Sequence, residues 1–386
     1  MMKKKLIAVA LTAGFTAPAA MADVTLYGFL QGGVESVKAT GAAANGGNEY
    51  ASRTRVSDQN SRLGFKGTED LGNGTKAIWQ IESSLRNFEQ GGVNDVNQSA
   101  TFGTRNTFVG LDNAELGTLR LGQYDSAYKV FTSKAADNLM GDTTADTHGS
   151  SSIAGRGEAR LKNSVHYTTP NWNGFQAGVS YGVDEDRAAD ANDASRKTKR
   201  DRWSLGAAYT LGTLVIAAGY DRQADSAGYG GSTKTNGKKT AYWQLASSYK
   251  FDFGTTIAAS YEKGSYGNTA GSDLKQSGYT VAVSQDIGAA VVGLSYNKLG
   301  NLSNAANPND YAAKQWVLGA RYNLSKSTSL YGYYTQIKNN AAAKVNFANN
   351  PLVVKAAAPN SDGSFNNNLS AGNKLTAIGA GLKIAF

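Results

Sequence analysis

The sequence predicts an all-β chain: a sixteen-stranded antiparallel transmembrane β-barrel with short periplasmic turns and long extracellular loops. Three observations point there. Apolar and small or polar residues alternate with a period of two from Asp23 to Phe386, which is the half-buried strand signal and not the helical one. Connections alternate between tight and long, the rhythm of a barrel that crosses a membrane. Glycine is abundant, at 45 residues, against only 5 prolines, none of which falls inside an alternating segment.

Composition narrows the classes further. The chain has 386 residues and a mean hydropathy of −0.39, with one apolar run, so it is not a polytopic helical membrane protein, whose spans each need about 20 apolar residues. A hydrophobic content of 41% is too rich for a disordered chain. The absence of cysteine removes disulfide scaffolds, thiolate metal sites and cysteine nucleophiles. Residues 1–22 read as a secretory signal peptide: Lys3-Lys4-Lys5, an apolar stretch from Leu6 to Phe15, then Ala20-Met21-Ala22 before Asp23. Residues 23–386 are then one barrel domain, and without the three signal lysines the formal charge of +9 falls to +6. That basic balance carries no nucleic-acid pattern.

In chain order, strands are expected to start near Val24, Ser61, Thr75, Thr101, Thr118, Lys162, Phe175, Arg202, Thr213, Lys239, Thr255, Lys275, Ala289, Lys314, Thr328 and Asn373. Trp203, Leu205, Ala207 and Tyr209 share one face, and Arg202, Ser204 and Gly206 the other. Ile378, Ala380, Leu382, Ile384 and Phe386 repeat this against Gly379, Gly381 and Lys383. The second face is too small and too polar for a packed core, which favours a lumen. Tyrosines at segment ends (Tyr209, Tyr220, Tyr249, Tyr261, Tyr296, Tyr322) fit interfacial girdles. Tight turns are expected around 210–212, 251–253, 286–288 and 324–327. Long loops are expected near 184–200, 223–238, 265–273, 300–312 and 338–372. At about 10 residues per strand, sixteen strands use roughly 160 residues and leave enough for these connections.

A barrel of this size leaves an aqueous channel, so function turns on what narrows and charges it. The longest non-alternating insertion of the first half runs from Tyr124 to Arg160 and mixes acids with bases. Parity places Glu82 and Arg86 on the lumenal face, opposite Trp79, Ile81 and Leu85. Several motifs resemble those of Gram-negative general diffusion porins, most closely the Neisseria and Burkholderia-Comamonas branch. They are Val24-Thr-Leu-Tyr-Gly28, Ser61-Arg-Leu-Gly-Phe-Lys-Gly-Thr-Glu-Asp-Leu-Gly72 and Arg105-Asn-Thr-Phe-Val-Gly-Leu111. Gly117-Thr-Leu-Arg-Leu-Gly-Gln123, Arg160-Leu-Lys-Asn-Ser-Val-His-Tyr167 and the terminal Phe386 complete the set.

That resemblance implies a passive outer-membrane channel for small hydrophilic solutes and ions, a homotrimer among outer-membrane lipid and lipopolysaccharide, and a third loop folded into the lumen, where its acids face wall arginines across a constriction. By position, Arg62 and Arg105 match the first two wall arginines. Arg160 is the candidate third, with Arg156 as the alternative, and Asp137 and Asp142 are the candidate loop acids. His166 stands on the lumenal side where relatives often carry arginine, and Gln123 replaces a basic residue common at the base of the loop. Guanidinium suits such a wall because it stays charged beside other cations. Anion preference is expected; a substrate-specific channel, or else a surface adhesin or barrel enzyme, is the alternative. His148-Gly149-Ser150 lies in a Ser/Gly/Thr-rich stretch without the fixed scaffold that nucleophilic catalysis needs. Asp184-Glu185-Asp186 and Arg196-Lys-Thr-Lys-Arg200 read as solvated loop charge. No catalytic residue, cofactor or metal site is expected.

Overall fold

The structure, a computed structural model, describes residues 23–42, 47–85, 102–136, 139–149, 152–185, 187–355 and 366–386. Arg86, Asp137, Ser150 and the expected signal peptide lie outside these residues. The strands are β1 (Asp23–Thr40), β2 (Tyr50–Asp58), β3 (Arg62–Gly72), β4 (Thr75–Ser84), β5 (Thr107–Asn113), β6 (Gly117–Asp125), β7 (Arg160–Thr168) and β8 (Phe175–Gly182). They continue with β9 (Arg202–Leu211), β10 (Leu214–Ala227), β11 (Thr233–Lys250), β12 (Thr255–Tyr266), β13 (Leu274–Ile287), β14 (Ala290–Ser303), β15 (Ala313–Asn323) and β16 (Thr328–Asn339). A small hairpin, β17 (Val353–Lys355) and β18 (Asn366–Asn368), precedes the last strand, β19 (Lys374–Ala385).

Neighbouring strands pair antiparallel in chain order. β1 closes the circle against β19 from Phe29↔Ala385 to Thr40↔Lys374. Gly28 and Phe386 exchange the final two backbone bonds, at 3.0 and 3.1 Å. β2 and β3 both pair with β1 and form one kinked strand, so the wall described here has sixteen staves. At the kink, the Asp58 carboxylate accepts the Ser61 N–H and Asn60 adopts φ +61°. Such a conformation is tolerated by asparagine.

The tight connections follow local chemistry. Asn73 and Gly74, at φ +52° and +72°, make the two-residue hairpin between β3 and β4, a turn that needs two positive φ angles. Gly288 does comparable work between β13 and β14 at φ +59°.

Burial is inverted relative to a water-soluble protein. Leu245 is 52% exposed and its neighbour Gln244 only 2%, because the aliphatic face meets lipid and the polar face meets the lumen. Two aromatic belts border the aliphatic band. At the long-loop end, Tyr181 packs on Trp203 and Tyr296 on Trp316, with centroids 4.6 and 4.5 Å apart. At the turn end, Tyr249, Phe251 and Phe253 form a chain of ring contacts.

Candidate functional site: the lumenal constriction

The segment between β6 and β7, residues 126–159 and here called L3, leaves the wall and crosses the lumen. Its first turn is the helix α1 (Ala127–Thr132), with the Ser126 hydroxyl accepting the Lys129 N–H as N-cap. The helix can lie against the barrel because the wall has a trough there. Gly178, Gly206 and Gly219 stand in register on β8, β9 and β10. A Cβ at Gly219 would come within 2.7 Å of the Tyr128 ring, and one at Gly178 within 2.8 Å of Phe131. Wall serines complete the seat: Ser180 and Ser204 accept the N–H groups of Ala127 and Tyr128 at 2.9 and 2.8 Å. These are donors that a helix cannot satisfy internally.

Both arms of L3 meet at one wall carboxylate. Tyr128 donates to Glu262 Oε2 at 2.7 Å, while Arg156 Nε pairs with Oε1 at 3.0 Å. Arg156 also donates to the Tyr266 hydroxyl, to Gln276 Oε1 and to the Gln276 carbonyl. It is therefore buried against the wall as the partner of Glu262. Glu35 plays a comparable part near the tip, accepting from Thr144 of L3 at 3.1 Å and from Arg55, Ser57 and Tyr333 of the wall.

The tip carries Asp142, at φ +65°. Leu139 and Met140 sit over a second glycine pair, Gly293 and Gly319, in register on β14 and β15. Asp142 forms an ion pair with Arg62 and accepts Asn60 Nδ2 at 2.7 Å. The kink at 59–61 thus delivers two side chains to the tip. Arg321 donates to the Leu139 carbonyl at 2.8 Å, and the Lys383 ammonium lies 3.8 Å from the Phe29 ring centroid, above which Arg62 also stacks at 4.5 Å. Arg321 and Lys383 are both within electrostatic reach of Asp142, so three cations share one acid.

Arg105 and Arg160 each pair with a carboxylate, Arg160 sharing its own with Lys129. Arg105 pairs with Glu82, which also accepts the Tyr27 hydroxyl. Arg160 pairs with Asp125 at 3.0 Å and donates to Asn106 at 2.8 Å, and Lys129 reaches the same Asp125 at 3.4 Å. Gln123 donates to the Thr104 and Arg105 carbonyls and fixes the approach to Arg105. His166 is buried between Ser164 and Ser180, 2.7 Å from each. On L3, burial pushes the Glu158 carboxyl up to about 7 despite the nearby His148 and Lys129.

The wall charges Glu35, Glu262, Arg321 and Lys383 were not among the expected site residues, although Lys383 was already placed on the polar face of its strand. The signal was present in strand parity, since each stands on the face opposite an exposed aliphatic residue of its own strand, Val34, Ile257, Leu318 and Leu382 respectively. A second loop also turns inward. Phe347 and Leu352, from the connection between β16 and β19, are buried with Met140, Ala145 and Ile153 of L3. Asn349 donates to Thr143 and Asp146 of L3, and Asn350 to the Asp58 carbonyl.

A closed sixteen-stave wall with an inward loop facing basic side chains has a family counterpart. The family model for Gram-negative porins matches residues 8–342. The chain is a Gram-negative porin. It is 32% identical over 343 residues to a major outer membrane protein P.IB of Neisseria meningitidis, a match covering 85% of this chain and 91% of that protein. An outer membrane porin of Bordetella pertussis is 30% identical over 379 residues, covering 88% and 95%. Among solved structures, the anion-selective porin from Comamonas acidovorans superposes with a TM-score of 0.66 at 25% identity, covering 95% of this porin and 100% of the other chain. The porin is accordingly an outer-membrane diffusion channel of a Gram-negative bacterium.

Proposed function

We propose that the porin is an anion-preferring general diffusion channel, with Arg62, Arg105 and Arg160 on the constriction wall, Asp142 on L3, and Arg321 and Lys383 completing the basic side. One observation carries this reading: Asp142, ion-paired with Arg62, also lies within electrostatic reach of Arg321 and Lys383, so three cations face one acid at the tip. Unbalanced positive charge in a narrow, low-dielectric passage raises local anion concentration. The paired groups across it orient water, so an apolar solute loses solvation there while small polar solutes and ions pass. Reversal potential in a chloride gradient across a planar bilayer tests the reading; cation preference overturns it.

Transport in this reading is passive and needs no cofactor, and the porin is a channel and not a catalyst. Saturable block by one nutrient among many would instead indicate a substrate-specific pore. Residues 1–22 act as a cleaved signal, so the mature porin starts at Asp23. It assembles as a homotrimer in contact with outer-membrane lipid and lipopolysaccharide. In support, β1, β2, β16 and β19 present an outward patch of small and aliphatic residues, including Gly32, Val34, Val56, Leu330 and Leu382. Native mass measurement in mild detergent tests the stoichiometry.

A further inference from the structure

The charge run ending at Arg200 is not wholly a solvated loop. Arg200 turns inward and, with Arg160, Lys162, Arg202, Lys234 and the single acid Asp184, lines a recess of about 290 Å³. The recess lies between the loop after β8 and the lumenal faces of β9 and β10. Arg202 and Gln223, which both line it, stand on the face opposite the outward Trp203 and Tyr220. It adjoins the constriction through Arg160, whose acid partner Asp125 also holds Lys129 of L3.

Its charges are unevenly satisfied. Arg160 is paired with Asp125, and Arg202 with Asp221 at 2.7 Å. Asp184 accepts the backbone N–H of Arg200 at 2.7 Å. Among the described residues, no carboxylate forms an ion pair with Lys162, Lys234 or the Arg200 guanidinium. Arg200 donates from Nη2 to the Gln223 amide oxygen and the Gly231 carbonyl, at 3.3 and 3.2 Å, and its buried Nε has no acceptor. A buried charged donor left without an acceptor is costly. An oxyanion with several acceptor oxygens would satisfy it and draw the two lysines together.

We propose that this recess is a binding site for a phosphate group carried by a soluble solute, inorganic phosphate or a small phosphomonoester, held before it reaches the constriction. The chemistry selects a multivalent, tetrahedral oxyanion over chloride. A guanidinium fork and two ammonium groups offer several charge-assisted donors around one hollow, and a monovalent ion can use only a fraction of them. The phosphates of lipopolysaccharide share this chemistry. The soluble source is preferred because Arg202 and Gln223 line the recess from the lumenal face of β9 and β10. This inference deepens the anion-channel reading and rests on it.

The test is single-channel recording of the full-length porin in phosphatidylcholine bilayers free of lipopolysaccharide. Chloride is the carrier, with inorganic phosphate or glucose 6-phosphate added to the long-loop side. The expected result is saturable block from that side. R200Q/K234Q should raise the half-blocking concentration about tenfold, with reversal potential in chloride nearly unchanged. K162Q/K234Q, which leaves the hydrogen bonds of Arg200 in place, should give a smaller rise and guards against simple misplacement of the loop. Equal half-blocking concentrations in all three proteins overturn the site. So does a variant that binds less lipopolysaccharide on purification yet blocks as before, because the recess then belongs to a lipid phosphate. A cation-selective wild type in chloride overturns the anion-channel reading itself and is read separately from the phosphate response.

Discussion

At its base L3 is held by Glu262 and Arg156, whose side chains are 3% and 4% exposed, whereas at its tip Asp142 and Arg62 are 30% and 17% exposed. The base is a buried staple with every atom of the carboxylate used, set beside a glycine trough that no other residue could form. The tip is an open ion pair with cations to spare. Position and field are therefore assigned to different residues of one loop. The base fixes where the loop lies, and in the proposed reading the tip sets what a passing solute feels.

The largest expected break in this division is E262A. Removing one partner of a buried charged pair leaves the other unpaired at a cost of about 3–5 kcal/mol, so the variant should unfold at lower temperature in detergent and show frequent brief closures in single-channel traces. Ion preference measured in its open periods should be little altered. G206A is next. Its added methyl meets the Ala127 carbonyl and the Phe131 ring, an overpacking worth about 1–3 kcal/mol, and the displaced helix should change unitary conductance without changing the sign of selectivity.

R62Q/R105Q should do the reverse. Conductance should rise modestly, selectivity should move toward cations by several-fold, and the melting temperature should move less than in E262A; unchanged selectivity would remove both residues from the constriction. The smallest effect is a pH dependence from Glu158. Its carboxyl titrates near 7 because it is buried, with Lys129, His148, Asp146 and Glu262 facing it. Between pH 8 and 6 it loses its negative charge, so anion preference should increase on acidification, and E158Q should flatten that rise. Because the folded value lies above the usual carboxylate value of 4.5, the charged form is disfavoured by folding. Stability from this group is greatest below 4.5 and is lost as pH rises through about 7.

Most of the wall was legible from alternation. The sixteen expected starts fall on or near observed strand starts, the largest offsets being Thr101 for Thr107 and Lys239 for Thr233. β2 was missed because Tyr50–Asp58 is mostly polar and offers lipid a single aliphatic residue, Val56, so its period-two signal is faint. In the site, Arg62 and Asp142 form an ion pair, Arg62 standing at the start of a strand where its motif is short and its place in the chain easy to read. Arg156 was a less legible residue: its partners Glu262, Tyr266 and Gln276 lie 106 to 120 positions away, and only the closed barrel brings them near. The inward turn of the loop at 340–373 was read as length alone. Its cue lay in Val345, Phe347 and Leu352, aliphatic and aromatic residues that an exposed loop has no reason to carry.

The row Gly178, Gly206 and Gly219 is contributed by three strands and exists only when all three are paired with the correct partner residues. A slip of one position on any of them would carry its glycine to the lipid side and bring a side chain beneath α1, since successive residues face opposite ways. The loop that narrows the channel thus also acts as a gauge of assembly. A barrel that has closed out of register has nowhere to seat it.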